Sequence, residues 1–322
     1  MSTFADTISG ADLWAWRQQA IAQAQDSQID PAEVDWLLRG LCKIEPLALK
    51  LGTLAQVSTV PAQVTLAELM SLWGKRISDR VPIQHLVGTT VWRNFTLQVS
   101  PAVLIPRPET ELMIDIVVER LNQSPQATWL QQGTWVDLGT GSGAIALGLA
   151  AALPQAEILA VDVSDKALAI ARQNAVENGL GDRIQFLQGS WFEPLAHWPR
   201  QLSGIVSNPP YIPSAIVPTL DPEVAQHEPH LALDGGPDGL AVVRHLVTTA
   251  PRYLQPGGLW AVELMAGQAP TVTHLLRQSQ AYRDDQIASD YAGIERFVTA
   301  YRQSESARDR DDPLPRGLAE QH

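Results

Sequence analysis

Apolar positions change their period along the chain. Through residues 1–80 they recur at helical spacing. Leu13, Trp14, Trp16 and Ala20 outline a first amphipathic helix. Asp30-Pro31-Ala32-Glu33 is a helix start: a cap, a proline in the first turn and an early acid. Val34, Leu37, Leu38 and Leu41 then repeat on one face. Thr65-Leu66-Ala67-Glu68 reads as a capping box ahead of Leu69, Leu72 and Trp73. The pattern predicts a small helical bundle over 1–80. Over 81–105 it shortens to two β-prone runs, Thr89–Trp92 and Phe95–Val99, around Arg93-Asn94, which predicts a hairpin linker. From 134 onward, apolar strand-like runs alternate with helical ones, the signature of a parallel α/β sheet. Strands are expected at 134–138, 157–161, 183–187, 204–207 and 258–262, and helices at 144–153, 165–178 and 238–253. Pro256-Gly257-Gly258 is expected to turn the last helix into its strand. Gln286-Ile287-Ala288 and Arg296–Ala300 are expected to form a terminal strand pair, and the polar residues 303–322 a disordered tail.

Against this frame, Ser207-Asn208-Pro209-Pro210-Tyr211 stands where a buried strand, Gly204-Ile205-Val206, ends. Asn208 precedes a proline, which pushes its backbone into the extended region. Pro209 and Pro210 have fixed φ and no N–H, so their carbonyls are acceptors on a stiff backbone. Tyr211 adds a flat face with a polar tip. Together they suit a planar –NH2 group, either a carboxamide or an exocyclic base amine. Earlier in the chain, Ile105-Pro106-Arg107-Pro108-Glu109-Thr110-Glu111 leads into a helix carrying Leu112, Ile116 and Val117. Arg107 and Glu109 either line one wall of a site or only stiffen that entry.

Composition narrows the classes. The balance is 45% hydrophobic and 18% charged, with a net charge of −12. An acidic chain with no basic stripe argues against direct nucleic-acid binding, which needs clustered Lys and Arg. It favours a small substrate or a basic protein partner. The single cysteine, Cys42, excludes an internal disulfide and a cysteine-built metal cage, and its helical apolar context makes it inert core. His227-Glu228-Pro229-His230 lacks the spacing of a zinc motif, so no metal is expected. The start of the chain has neither the basic residues nor the apolar core of a signal peptide, and no apolar run reaches a membrane span. A cytoplasmic protein with no membrane association is expected.

The glycine loop Gly139-Thr140-Gly141-Ser142-Gly143 follows one strand and opens the next helix. Glycines there permit a tight turn and close approach of a ligand to free helix N–H groups. Asp162, at the end of the following strand, is placed for a ribose diol. Phosphate-binding and dinucleotide folds share such loops. Asp137, two residues before the first glycine, can meet an amino-acid ammonium or order the loop. The acceptor cradle at 208–211 has no role in hydride transfer, whereas methyl transfer to nitrogen needs one.

Asp137-x-Gly139-x-Gly141-x-Gly143, then Asp162, then Asn208-Pro209-Pro210-Tyr211 resembles a class I S-adenosylmethionine-dependent N-methyltransferase. Ile105–Glu111, Glu228-Pro229 and Leu233-Asp234-Gly235-Gly236-x-Asp238-Gly239-Leu240 extend the resemblance to the peptide chain release factor glutamine methyltransferases, the HemK-like family. It spans roughly 10–302. It implies a Rossmann-like, seven-stranded, mostly parallel sheet with an antiparallel last strand over 106–302, preceded by a helical docking domain over 1–80 and a hairpin linker over 81–105. It implies S-adenosyl-L-methionine held by Gly139, Thr140, Gly141, Ser142, Gly143 and Asp162, with Trp191 stacked on the adenine. It implies that Asn208, Pro209, Pro210 and Tyr211 grip the substrate amide, with Asn208 also bordering the cofactor. The family target is the glutamine of a Gly-Gly-Gln loop in class I release factors, and the expected enzyme is a monomer. Where the family commonly carries an acid before the aromatic, this chain has Ser190. The same cradle serves ribosomal-protein glutamine methyltransferases and adenine-N6 DNA methyltransferases. The glycine loop alone would also admit a nicotinamide dehydrogenase or a non-catalytic cofactor-binding module.

Overall fold

The computed structural model describes residues 4–304. Most of the expected tail, 305–322, lies outside the described residues.

The N-terminal part is helical with one departure from expectation. Asp6–Ile8 (β1) pairs antiparallel with Val60–Ala62 (β2). Between them run Gly10–Asp26 (α1), Ala32–Leu41 (α2) and Pro46–Leu51 (α3). Leu66–Ser78 (α4) begins with the expected capping box, Thr65 and Glu68 satisfying each other's backbone N–H groups. Ile83–Val87 (α5) closes the bundle, so helix continues past residue 80. The apolar faces of these elements share one core, with Leu13, Leu37, Leu38, Leu69 and Trp73 fully buried.

The hairpin forms as expected from Thr89–Trp92 (β3) and Phe95–Gln98 (β4). It is more than a connector. Trp92 and Leu97 are buried in the core of the following α/β unit, and the Trp92 indole N–H donates to the Arg107 carbonyl at 3.1 Å. Asn174 grips both backbone groups of Gln98, accepting its N–H at 2.6 Å and donating to its carbonyl at 3.1 Å.

The α/β unit continues through Leu112–Gln123 (α6), Ala127–Leu130 (α7), Thr134–Leu138 (β5), Ala144–Ala152 (α8), Glu157–Asp162 (β6), Asp165–Glu177 (α9) and Ile184–Gln188 (β7). Leu202–Ser207 (β8), Pro222–Ala225 (α10), Ala241–Thr249 (α11), Leu254–Glu263 (β9) and Ala269–Ser279 (α12) follow, then Tyr282–Ser289 (β10) and Glu295–Arg302 (β11). The seven-stranded sheet has the order β10-β11-β9-β8-β5-β6-β7. β5 through β9 are parallel, and β11 runs antiparallel between β9 and β10. Apolar layers cover both faces of the sheet. That is why its central strands read as continuous apolar runs rather than alternating ones.

One sequence expectation is corrected here. Pro256-Gly257-Gly258 is not a turn before the strand. β9 starts at Leu254 and runs through it, with Gly257 at φ 82° and a register shift against β8. A glycine in the left-handed region accommodates an irregularity inside a strand as readily as a turn between elements.

The strand order reverses between β5 and β8, the place where open α/β sheets bind ligands beyond their carboxyl ends. Register brings those ends level: Leu138 lies beside Val161 and Ser207, and Ser207 beside Val262. The Ser207 hydroxyl donates to the Leu138 carbonyl at 2.7 Å, tying the two strands at the mouth of the crevice. The glycine loop, Asp162, Asn208 and Glu263 therefore leave the sheet side by side.

Candidate active site

The glycine loop rests on Asp137, which is fully buried at the end of β5. One carboxylate oxygen accepts from the Thr140 hydroxyl at 2.6 Å and from the Ala146 N–H at 3.1 Å. The other oxygen is buried with no hydrogen-bond partner, and burial pushes the Asp137 carboxyl up to about 7. Of the two roles open to Asp137, ordering the loop is the one these contacts carry out. Thr140 and Ser142 are buried, Thr140 turned onto Asp137, while the Ser142 carbonyl accepts from Asn174. What the loop offers outward is backbone.

The three glycines differ in what they need. All have positive φ. A Cβ at Gly143 would crowd Ala171 at 3.1 Å, so this glycine serves helix packing. At Gly141 a Cβ would meet nothing, so the space beyond it is open. At Gly139 a Cβ would lie 3.5 Å from the Trp191 ring, which leans over the loop. Trp191 is itself in the left-handed region, φ 50°, uncommon for a bulky residue and often found at functional sites. Beside it the Ser190 N–H donates to Glu193 at 2.9 Å, so a carboxylate stands close by although Ser190 carries none.

Asp162 ends β6 and accepts the Gly141 N–H on one oxygen and the Ser164 N–H on the other, both at 2.9 Å. Each oxygen has a further lone pair for a hydroxyl. Open space at Gly141, an aromatic face at Trp191 and a half-buried acid between them form a donor and stacking set that fits a nucleoside with a ribose diol. The set therefore fits S-adenosylmethionine.

The cradle follows β8. The Asn208 side-chain NH2 donates to the Thr110 hydroxyl oxygen at 3.3 Å, which leaves its Oδ1 as the end available to a ligand. The loop 233–240 supports the cradle from below. A Cβ at Gly235 would stand 2.7 Å from the Pro210 carbonyl oxygen, and one at Gly239 would stand 2.2 Å from that of Tyr211. The Tyr211 carbonyl also accepts from the Gln268 side chain at 2.9 Å. The Tyr211 hydroxyl donates to Glu263 at 3.3 Å. Burial and the facing Glu263 charge raise its phenol above the ordinary value.

Arg107 donates to Glu228 at 2.6 Å, and Glu228 also accepts the Ile105 N–H at 3.3 Å. Glu228, whose neighbouring histidines superficially suggest a metal, is thus a buried anchor for the 105–107 segment; among the described residues no cluster could hold a metal ion. Arg107 lies within electrostatic reach of Tyr211, and Glu109 within reach of Glu263 and Arg296. Cys42 is buried and its thiol is pushed up to about 11, in keeping with inert core. Among the described residues no helix is long and apolar enough to cross a membrane.

Sequence reasoning passed over two residues of this site. Glu263, about 1% exposed, ends β9 beneath the cradle, and burial pushes its carboxyl up to about 7. Thr110, also buried, accepts from the Asn208 NH2. The signal for Glu263 was present: a lone carboxylate closing the apolar run Leu259-Trp260-Ala261-Val262 at the ligand end of a parallel strand.

A family model described as the methyltransferase small domain matches residues 112–219, from α6 to just past the cradle. A release factor glutamine methyltransferase of Synechocystis is 51% identical over 297 residues, 91% of this chain and 97% of the relative. The Gloeobacter violaceus protein of the same name is 45% identical, over 89% of this chain and 96% of its own. The chain belongs to the release factor glutamine methyltransferase family. The solved catalytic domain of hMettl16, in complex with an RNA hairpin, is 15% identical with a TM-score of 0.51, over 86% of this chain and 91% of its own. That likeness speaks for the fold alone. Alignment with the release factor glutamine methyltransferases runs through the helical bundle as well as the α/β unit, so the two parts come as one family unit.

Proposed function

We propose that the crevice between β5 and β8 binds S-adenosylmethionine and a glutamine side chain together, and that Asn208 and Pro209 hold the glutamine amide. The chain is a protein-(glutamine-N5) methyltransferase acting on the Gly-Gly-Gln glutamine of class I release factors. The observation that carries the residue assignment is the Asn208 amide, whose NH2 end is committed to Thr110 and whose acceptor end is left for a ligand. Gly139–Gly143, Asp162 and Trp191 hold the cofactor in this reading. Residues 1–80 and the hairpin over 81–105 orient the release factor against the methyltransferase unit at 106–302. The enzyme acts as a cytoplasmic monomer without metal.

An amide nitrogen is a weak nucleophile because its lone pair is delocalised into the carbonyl. S-adenosylmethionine, when bound, supplies an electrophilic methyl group on a sulfonium. The chain's own residues do the rest. Asn208 Oδ1 and the Pro209 carbonyl accept the two amide hydrogens, which aims the nitrogen and raises its electron density as positive charge develops. Tyr211 packs against the amide plane and excludes water from it. The stiff prolines keep both acceptors in place at no reorganisation cost. The surplus proton leaves after transfer, because the methylated nitrogen is strongly acidic, and no dedicated base is required.

A net charge of −12 disfavours an adenine-N6 nucleic-acid reading of the same cradle, since a nucleic-acid groove needs basic residues. The test is transfer of labelled methyl to purified class I release factor, with ribosomal protein and unmethylated DNA as parallel acceptors and the product mapped by peptide mass spectrometry. Label is expected on the Gly-Gly-Gln glutamine. Label on ribosomal protein or DNA alone would move the assignment to that acceptor.

A further inference from the structure

A short segment beyond the cradle is held from two sides. Glu223, in the first turn of α10, faces the helical bundle. One of its carboxylate oxygens accepts from Arg76 at 2.8 Å and pairs with Arg80 at 2.7 Å. Arg76, on α4, is about 4% exposed and grips Glu33 of α2 through two further nitrogens, at 2.5 and 2.9 Å. Arg80, just past α4, lies in the left-handed region at φ 58° and also donates to the Ser27 carbonyl at 3.2 Å. Further along the segment, the His227 ring donates to the Asp79 carbonyl at 2.7 Å. The next residue, Glu228, turns the other way, onto the Ile105 N–H and Arg107. Residues 223–228 thus tie the C-terminal end of α4 to the segment that enters the site.

A guanidinium buried between two carboxylates adds little net stability, because desolvation offsets the attraction. What it fixes is direction, since its planar fork meets a carboxylate in a set geometry. We propose that the Arg76–Glu223–Arg80 cluster, with the His227 contact, sets the angle of the helical bundle to the crevice and so makes the enzyme selective for a folded release factor over a free Gly-Gly-Gln peptide. The inference rests on the reading that residues 1–80 orient the release factor, and adds the residues that hold that orientation. A folded substrate must rest on the bundle and reach the cradle with one loop at the same time. Such two-point binding gains affinity only when both contacts fit one geometry. A short peptide engages the cradle alone and does not sense the bundle. Glu223 and Arg76 are positioning residues, acting through the bundle rather than on the substrate amide.

Glu223→Ala opens the cluster but leaves Arg76 paired with Glu33, so the bundle keeps its buried charge compensated. Steady-state transfer is measured on class I release factor and on a short peptide carrying Gly-Gly-Gln. For the release factor, KM is expected to rise about tenfold with kcat within about twofold, the mark of lost substrate binding. For the peptide, kcat/KM should stay within about twofold, and so should the affinity for S-adenosylhomocysteine. Glu223→Gln, which keeps an acceptor for Arg76, should fall between wild type and Glu223→Ala. The angle itself is read in the full-length enzyme by energy transfer between dyes on Lys50→Cys and Val176→Cys, both exposed positions, with Cys42 buried. Glu223→Ala should broaden the distance distribution, and Glu223→Gln should narrow it again. If Glu223→Ala does not fold, Glu223→Gln and His227→Phe are read in the same two ways, with smaller shifts in the same direction. An unchanged KM for the release factor, an equal loss on release factor and peptide, or a raised KM with the dye distances unmoved overturns the inference alone. A wild-type enzyme that treats peptide and release factor alike would instead overturn the docking role of residues 1–80, and this inference with it.

Discussion

The two halves of the crevice are built by different means. The cofactor side is a local device: one strand, one glycine loop and the acid ending the next strand, all within residues 137–162, with the Thr140 side chain turned inward onto Asp137 and the Gly141 N–H tied to Asp162. The amide side is assembled over long separations. Asn208 reaches Thr110 across 98 positions and Tyr211 reaches Glu263 across 52. A nucleotide-like ligand can be recognised by backbone because its polar groups are spread out and its rings stack. A single amide must be told donor from acceptor, and fixed acceptors such as the Asn208 side-chain oxygen and the Pro209 carbonyl do that. The comparison predicts that damage on the amide side lowers the chemical rate, while damage on the cofactor side lowers affinity.

The largest effect should come from the cradle itself. Asn208→Ala removes one of two preorganised acceptors and is expected to lower kcat about 10²–10³-fold. Binding of S-adenosylhomocysteine, followed by calorimetry, should change little. Near-normal turnover would remove Asn208 from the mechanism.

The same contrast explains what could be read from the chain before its structure. The cofactor side is local, so its strand, loop, helix and acid follow one another in the sequence with recognisable spacing. Asn208–Tyr211 is also contiguous and shows itself through its prolines. Thr110 lies inside a motif that the sequence singles out, yet nothing in the sequence says that its hydroxyl reaches Asn208. Thr110 sits in the turn Pro108–Glu111 before α6, and only the packing of that turn against the end of β8 brings the two side chains together. Glu263 was hidden by ending its strand at 262 and by taking Pro256-Gly257-Gly258 as a turn. Trp191 was visible only through the family resemblance, since a tryptophan in a loop has no spacing of its own. The β1–β2 pair was not legible, because three-residue strands are too short to establish a period.

The support beneath the cradle gives the next effect. At Gly235 a Cβ would stand 2.5 Å from the Gly239 carbonyl oxygen and 2.7 Å from that of Pro210, both backbone atoms. Gly235→Ala should therefore cost about 1–3 kcal/mol in stability, as overpacking does, measured by urea unfolding. It should also lower kcat more than it weakens cofactor binding. A weaker cofactor with unchanged kcat would break the division between the two sides.

On the cofactor side, Asp162→Ala removes the acceptor for two backbone N–H groups, one of which shapes the glycine loop. Hydrogen bonds to a charged group are worth about 1.5–3 kcal/mol, so affinity for S-adenosylhomocysteine should fall about tenfold or somewhat more. Turnover at saturating cofactor should fall by less than it does in Asn208→Ala. Loss of turnover without loss of affinity would place Asp162 on the wrong side of the comparison.

The smallest effect concerns pH. Burial raises the Glu263 carboxyl from 4.5 to about 7, with Glu109 adding to the rise, while the neighbouring Thr110 and Tyr211 hydroxyls and the nearby Arg296 cation oppose it. Because the folded value lies above the unfolded one, the folded protein binds this proton more tightly. The contribution of Glu263 to stability is therefore complete below about 4.5 and is lost as pH rises through about 7, at up to about 1.4 kcal/mol per pH unit within that window. Asp137 titrates in the same direction, so the whole protein's pH profile does not isolate Glu263. The difference between wild type and Glu263→Gln does: the wild-type advantage in Tm should grow by a few degrees from pH 8 to pH 5. A wild-type advantage that stays flat or shrinks on acidification would show that the folded protein binds the Glu263 proton no more tightly than the unfolded chain.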